Sequence, residues 1–163
     1  MNHFKIPGSI IRQFVEMSSK NISTDCGHIE TLAFLIGYEI DNEVIATELV
    51  FPKQDGTPIK VDDLGIDEYN DTVQWITNKS DTYSEYGNVT IIAWIHSHVQ
   101  CHYTGFSSVD VHKQWALEKN FKNVFGLVIE FGTSSFWLDH EYFILTEIGT
   151  NAIEQCYNNF PEL

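Results

Sequence analysis

Two histidines at the end of an apolar run constrain the fold of this chain more than any other feature. The run extends from Val89 to Ile95, and His96 and His98 follow it with one serine between them. Alternate side chains of an extended strand project to the same face, so both imidazoles can reach a single ion. The pattern therefore predicts a buried strand that ends in a pair of metal ligands.

A third ligand lies one short loop away, at the end of the segment Phe106–Asp110. Asp110 falls at the predicted start of a helix, where its carboxylate could instead complete a capping arrangement near the positive end of the helix dipole. With His96 and His98 it gives two nitrogen ligands and one oxygen ligand. Three protein ligands leave the fourth tetrahedral position open, as a catalytic zinc requires. We therefore expect one catalytic Zn²⁺ at these side chains.

The composition narrows the class of protein. A chain of 163 residues suits one well-buried domain, and a hydrophobic content of 43% is typical of a globular protein. A formal net charge of −14 argues against nucleic-acid binding, which needs a basic face. No apolar run approaches the roughly 18–20 residues of a membrane span. The first ten residues lack the apolar core of a signal peptide.

Cysteine usage indicates a reducing compartment. Cys26, Cys101 and Cys156 are odd in number and irregularly spaced, which fits free thiols better than a disulfide framework. Cys26 near His28 could suggest a thiol nucleophile, but nothing in the spacing would activate it. We expect a single intracellular domain over residues 1–163, located in the cytoplasm.

Periodicity and turn signals predict helices interleaved with hairpins. A helix follows Ser9 as its cap, and a turn at Asp41-Asn42 joins two strands. The predicted strands are 30–38, 43–51, 88–95, 124–131 and 136–145, with a turn at 132–134. The predicted further helices are 67–86, 107–119 and 150–157, and 52–65 is predicted to be a loop. Such an order favours an α+β layered fold with a mixed β-sheet flanked by helices.

The ligand motif resembles that of the JAMM (MPN+) zinc metalloproteases. His96-Ser97-His98, a loop, then Ser107-Ser108-Val109-Asp110 carry the resemblance, with an upstream Ile29-Glu30-Thr31. The resemblance covers most of the chain, and the segments 30–37, 49–54 and 94–112 look like the AMSH-like branch of deubiquitinases. It implies the MPN fold and a zinc isopeptidase that cleaves ubiquitin chains, preferentially those linked through lysine-63. An acidic chain would suit ubiquitin as a partner.

The resemblance also implies roles for residues outside the ligand set. Glu30 corresponds to the general base, which takes a proton from the attacking water and returns it to the leaving amine. Ser107 corresponds to the serine that donates a hydrogen bond to the developing oxyanion. Ser108 is expected to cap the helix or to face solvent. Tyr103 and Phe106 are candidates either to grip an extended substrate or simply to pack.

The chain departs from the family pattern in two places. The loop between His98 and Ser107 is one residue longer than usual, and Val99 stands where proline is common.

The second departure concerns a structural zinc that AMSH-like enzymes carry. His112 and Cys156 match two of its ligands, but the chain lacks the terminal histidine pair. Cys101 and His102 could substitute. Since four ligands are the norm for a structural site, we expect the catalytic zinc alone.

Two other functions remain open at this point. The chain could be a JAMM peptidase that acts on another ubiquitin-like or sulfur-carrier protein. It could also be an inactive MPN scaffold, although such scaffolds lose metal ligands and this chain keeps all of them. The sequence does not indicate an oligomeric state.

Overall fold

A seven-stranded mixed sheet forms the centre of the structure, which is a computed structural model. It describes residues 3–20, 22–23, 27–28, 30–52, 54–57, 60–63, 89–98, 105–119, 121, 124–131, 143–148 and 154–158. The strands in these ranges are β1 His3–Lys5, β2 Ile22–Ser23, β3 Gly27–His28, β4 Leu32–Ile40, β5 Glu43–Val50, β6 Gln54–Thr57, β7 Lys60–Asp63, β8 Thr90–His98, β9 Phe125–Phe131, β10 Phe143–Ile148 and β11 Glu154–Asn158. The helices are α1 Gly8–Lys20 and α2 Ser108–Glu118.

The sheet has the strand order β1-β5-β4-β8-β9-β10-β11. The pairs β1–β5 and β8–β9 are parallel, and the other neighbours are antiparallel. Two small hairpins, β2–β3 and β6–β7, stand outside it. A mixed sheet with helices is the architecture that the sequence predicts, and it is compatible with the α+β class. None of the helices among the described residues is long and apolar enough to cross a membrane.

A tight turn fixes the register of the β4–β5 hairpin. Asp41 and Asn42 have φ angles of 50° and 66°. Successive left-handed residues are typical of a type I′ turn, whose twist matches that of the flanking strands, and Asp and Asn tolerate this conformation. The predicted hairpin is therefore confirmed, and it aligns β4 with β8 on its other side.

Apolar side chains cover both faces of the central strands. One cluster joins α1 to the sheet, through residues that include Ile11, Phe14, Leu35 and Ile95. The other lies on the opposite face and contains Leu32, Phe34, Ile36, Val89, Ile91 and Trp94, with Leu117 of α2 packed against it. A fully buried side chain of this size contributes about 1.5–3 kcal/mol, so this double-sided core holds β8 rigidly.

Three predicted elements are wrong. Ser9 does not cap α1, because the helix already begins at Gly8 and the carbonyl oxygen of Pro7 accepts from Ile10 N. The segment 52–65, predicted to be a loop from its prolines and acids, contains the β6–β7 hairpin, in which Gly56 pairs with Val61. The described part of the predicted closing helix 150–157 belongs to a strand, β11 Glu154–Asn158.

The last error has a physical cause. Cys156 of β11 lies opposite Thr146 of β10, so β11 satisfies backbone groups at what would otherwise be an open sheet edge. Eight residues of apolar spacing cannot distinguish a helix from a strand when such an edge is present. The predicted helix 67–86, the turn 132–134 and the strand portion 136–142 lie outside the described residues.

Candidate metal centre

The two histidines occupy the end of β8, as the sequence predicts. His96 is 2% exposed and lies opposite Leu32 of β4. His98 is the last residue of the strand, and its ring centroid lies 4.8 Å from that of His96. The Nε2 atoms of the two rings are 3.0 Å apart. Both imidazoles therefore present the same nitrogen to one point.

Asp110 reaches that point from the first turn of α2. Its Oδ1 lies 3.2 Å from His96 Nε2, and its Oδ2 lies 3.5 Å from His98 Nε2. The three ligand atoms lie within 4.8 Å of one another, and this is the group among the described residues that could hold a metal ion. The sequence predicts that these three side chains lie close together, and they do so in the structure.

The same carboxylate also caps the helix. Ser107 is the N-cap of α2, and its Oγ accepts from the backbone N–H of Asp110 at 3.2 Å. In return, Oδ2 of Asp110 accepts from Ser107 N at 2.8 Å and from Ser107 Oγ at 2.7 Å. The capping interpretation of Asp110 is therefore confirmed, and the same carboxylate still lies within 3.5 Å of the Nε2 atoms of both histidines. Ser108, the first helical residue, faces solvent.

The hydrogen-bonding requirements of His96 indicate why a cation fits here. Its Nδ1 is buried and has no hydrogen-bond partner among the described residues. A neutral imidazole has one N–H group: on Nδ1 it would be an unpaired donor, and on Nε2 it donates to Oδ1 of Asp110 while lying 3.0 Å from Nε2 of His98. A divalent cation bound to both Nε2 atoms and to Asp110 would replace this close approach of two ring nitrogens with bonds to one ion.

Trp94 stacks on His96, and Gln114 holds Trp94 in place. The Trp94 and His96 rings stack at 4.8 Å with an interplanar angle of 9°. Trp94 Nε1 donates to Gln114 Oε1 at 2.7 Å, and Gln114 Nε2 donates to the Val124 carbonyl at 2.9 Å. Phe106 packs edge-on against both rings, which favours the packing interpretation of this residue over substrate contact. Tyr103 lies outside the described residues.

Glu30 lies beside the ligands because of the register between β4 and β8. Ser97 N donates to the carbonyl oxygen of Thr31 at 3.0 Å, and Thr31 N donates to Ser97 Oγ at 2.9 Å. Continuing this pairing by one residue sets Glu30 opposite His98. Glu30 is 7% exposed, and burial raises the pKa of its carboxyl to about 7, although the charge of His98 counteracts this rise.

The pKa values of the other ionisable groups of the centre are shifted by burial and by their hydrogen bonds. Burial lowers the pKa of His96. Burial would also lower the pKa of His98, but hydrogen bonds to Asp110 and Glu130 raise it to about 9. Burial opposes ionisation of Asp110, yet hydrogen bonds from the two imidazoles hold the pKa of this carboxyl well below its usual range. The metal-free centre therefore pairs a charged His98 with an ionised Asp110.

Glu130 is a site residue that the sequence interpretation missed. It lies in β9 directly opposite His98, and its Oε1 is 3.1 Å from His98 Nδ1. It is 6% exposed, although every other residue of the run 124–131 is apolar or glycine. A single carboxylate in such a run is the signal that could have revealed it, since charged residues are rarely buried without a partner.

The two residues that match a second metal site in sequence, His112 and Cys156, lie on different elements of the described structure. His112 is exposed, its Nδ1 lies 2.6 Å from the Ser108 carbonyl oxygen, and its ring contacts Trp115. Cys156 lies in β11, three strands away from β8 in the sheet. Cys101 and His102 lie outside the described residues.

In the described part of the chain, one strand of a mixed sheet ends in two histidines, and Asp110 of α2 and the buried Glu30 lie beside them, which is consistent with the resemblance of the motif to the JAMM (MPN+) proteins. No family model matches the chain. It is 29% identical to a STAM-binding protein-like protein of Xenopus laevis over 157 residues, which are 96% of this chain and 33% of that protein. The STAM-binding proteins of Rattus norvegicus and Mus musculus are each 26% identical over the same share of this chain and 32% of their own length.

The names of these relatives agree with the branch that the motif resembles. STAM-binding protein is AMSH, so the relatives support the AMSH-like JAMM family and confirm the resemblance carried by the motif. The chain spans about a third of the length of the curated relatives that it matches.

Proposed function

We propose that this chain is a zinc-dependent isopeptidase that hydrolyses ubiquitin chains. The observation that carries the proposal is the convergence of His96, His98 and Asp110 on one point, within 4.8 Å, beside the buried carboxyl of Glu30. Two imidazoles and one carboxylate are a ligand set that suits zinc and leaves a position for water. The similarity to STAM-binding proteins supports the same assignment.

In the proposed mechanism, residues of the chain carry out the proton transfers. When bound, a zinc ion would polarise the scissile carbonyl and bring the pKa of a water molecule to near 7. Glu30 takes the proton of the attacking water and delivers it to the leaving lysine amine. In the metal-free protein burial raises the pKa of this carboxyl to about 7, and a carboxyl that titrates near neutral pH suits both the acceptance and the delivery of a proton.

Ser107 is the proposed oxyanion donor. It precedes Asp110 by three residues and contacts the same carboxylate, so its hydroxyl lies at the edge of the ligand group. It is exposed, and a rotation about its Cα–Cβ bond would direct the O–H away from Asp110 towards a bound substrate. The loss of one such donor typically costs about 10²–10³-fold in kcat.

Ubiquitin chains linked through lysine-63 are the proposed substrate. The basis is the similarity to AMSH-like proteins, which extends over 96% of this chain. An isopeptidase discriminates linkages by binding the sequence around the target lysine, since a wrong context leaves buried polar groups unpaired. The loop between His98 and Ser107 is one residue longer than is usual in the family, and Val99 replaces a common proline, so this segment is where specificity could differ.

The test is a panel of fluorogenic diubiquitins of each linkage, with and without a chelator. We expect zinc-dependent cleavage that is fastest for the lysine-63 linkage. Equal rates for all linkages would refute the specificity and leave the chemistry standing. Cleavage of another ubiquitin-like conjugate alone would favour a JAMM peptidase of different substrate. Zinc binding without cleavage of any conjugate would favour the scaffold.

A further inference from the structure

We propose that Glu130 is a positioning residue of the metal centre, which fixes the second histidine and the loop that leads to the third ligand. The inference rests on the proposed function, because it assigns to Glu130 a role at the same metal site. It adds a residue that the ligand motif does not contain. Glu130 is not itself one of the three candidate metal ligands, and it contacts them only through His98.

One carboxylate oxygen makes both contacts. Oε1 of Glu130 lies 3.1 Å from His98 Nδ1 and accepts from the backbone N–H of Gly105 at 3.1 Å. The first contact leaves Nε2 of His98 facing Asp110. The second contact fixes the backbone at Gly105, two residues before Ser107. A single buried side chain therefore links β9 to two separate parts of the metal centre.

The Gly105 contact depends on an unusual backbone conformation. Gly105 has a φ of 85°, which L-residues with a side chain rarely adopt, and it is buried. Its N–H needs a partner, because an unpaired buried amide costs about 1–3 kcal/mol. Glu130 provides that partner, so the carboxylate stabilises the turn from which Phe106, Ser107 and Asp110 follow.

The His98 contact has an electronic consequence as well as a geometric one. A carboxylate that accepts from Nδ1–H selects the tautomer with its lone pair on Nε2 and increases the basicity of that nitrogen. His96 differs, because its Nδ1 has no hydrogen-bond partner in the described part of the chain and its orientation comes from stacking on Trp94. The two histidines are thus oriented by different means, and His98 depends on Glu130.

The experiment measures zinc affinity rather than turnover. Wild type, Glu130→Gln, Glu130→Ala and the exposed control Glu16→Gln are stripped of metal and titrated with zinc against a chromophoric chelator. Circular dichroism of each metal-free variant checks that it is folded. In parallel, proton–nitrogen NMR of the zinc-loaded proteins detects the Nδ1–H group of His98.

We expect the zinc dissociation constant to rise about 10–100-fold in Glu130→Ala, the usual cost of removing such a partner. Glu130→Gln keeps an oxygen that accepts both hydrogen bonds but loses the charge, so its affinity should fall between wild type and Glu130→Ala. Glu16→Gln should match wild type. The His98 Nδ1–H signal should exchange rapidly with water in Glu130→Ala and remain in the control.

A zinc affinity of Glu130→Ala or of Glu130→Gln equal to that of wild type, with an unchanged His98 signal, would overturn the inference. If Glu130→Ala does not fold, the comparison of Glu130→Gln with Glu16→Gln decides. Tight zinc binding by wild type without isopeptidase activity would count against the proposed function but not against the role of Glu130. Absence of zinc binding by wild type would overturn both.

Discussion

The indole N–H of Trp94 donates to the side-chain oxygen of Gln114 over 2.7 Å, and this contact joins the two elements that carry the candidate ligands. Trp94 lies in β8 two residues before His96, and Gln114 lies in α2 one turn after Asp110. Gln114 also donates to the Val124 carbonyl and to Glu118. The buried side-chain amide of Gln114 therefore connects β8 to α2 and helps to fix the distance between the two histidines and Asp110.

Replacing Gln114 with leucine should destabilise the fold. The change leaves Trp94 Nε1 and the Val124 carbonyl oxygen without these partners in a buried environment, at about 1–3 kcal/mol for each. Urea unfolding of the metal-free protein measures the loss. The exposed residue Gln13 of α1 offers the matched control, since Gln13→Leu should change the free energy of unfolding by no more than about 0.5 kcal/mol. Equal stabilities of the two variants would contradict the structural role.

Local rules account for the part of the centre that the sequence predicts. The two-residue period of a strand aligns His96 with His98, and a capping box places Asp110 at a helix start; both depend on neighbours in sequence. The positions of Glu130 and Gln114 depend on which element lies beside β8 in space. That order follows from pairing over long separations, such as His98 with Glu130, which no local pattern encodes.

The errors in the fold have the same origin. β11 was predicted to be a helix because its apolar spacing fits both periods, and only the open edge of β10 selects the strand. The β6–β7 hairpin was missed because Pro and Gly indicate turns without indicating what flanks them. The β4–β5 hairpin was predicted correctly because Asp41 and Asn42 carry a turn signal that is itself local.

Replacing Glu30 with glutamine should abolish turnover and leave zinc bound. The amide cannot accept a proton from water, and general-base catalysis typically contributes 10²–10⁴-fold. The measurement is diubiquitin cleavage together with metal content of the same preparation. Retention of more than a few per cent of wild-type activity would show that another group acts as the base.

Replacing Ser107 with alanine should have two separable effects. Loss of the N-cap should cost about 0.5–2 kcal/mol of stability, because Ser107 Oγ accepts from Asp110 N. Loss of the oxyanion donor should lower kcat by roughly 10²–10³-fold at saturating zinc. Ser108→Ala, one residue further and exposed, is the control and should change neither quantity appreciably. A stable, fully active Ser107→Ala protein would remove Ser107 from the mechanism.

Protein purified without added metal should contain close to one zinc per chain. Elemental analysis gives the number, and thermal unfolding with and without a chelator gives the stabilisation, about 4 kcal/mol when zinc is present at 1,000 times its dissociation constant. A value near two would indicate a second site that includes His112 or Cys156. His96→Asn, which removes one ligand, should abolish the chelator effect.

The stability of the metal-free protein should fall as the pH rises from 7.5 to 9.5. Hydrogen bonds to Asp110 and Glu130 raise the pKa of His98 from 6.5 to about 9. A raised folded-state pKa gives stability that is complete below 6.5 and is lost as the pH rises through 9. The pKa values of Glu30 and Asp110 lie below this window, and that of His96 is lowered, so His98 dominates it.

The expected loss is about 2 kcal/mol, since the pH rises by about 1.5 units from 7.5 to the folded-state pKa of about 9 and each unit corresponds to about 1.4 kcal/mol. Urea unfolding of chelator-treated protein at the two pH values measures it. His98→Gln cannot titrate and should show little change over the same window. Zinc affinity should move in the opposite direction and increase up to about pH 9, because zinc binds the neutral imidazole and competes with its proton. A wild-type stability that is flat between pH 7.5 and 9.5 would show that Asp110 and Glu130 do not hold His98 in its charged form.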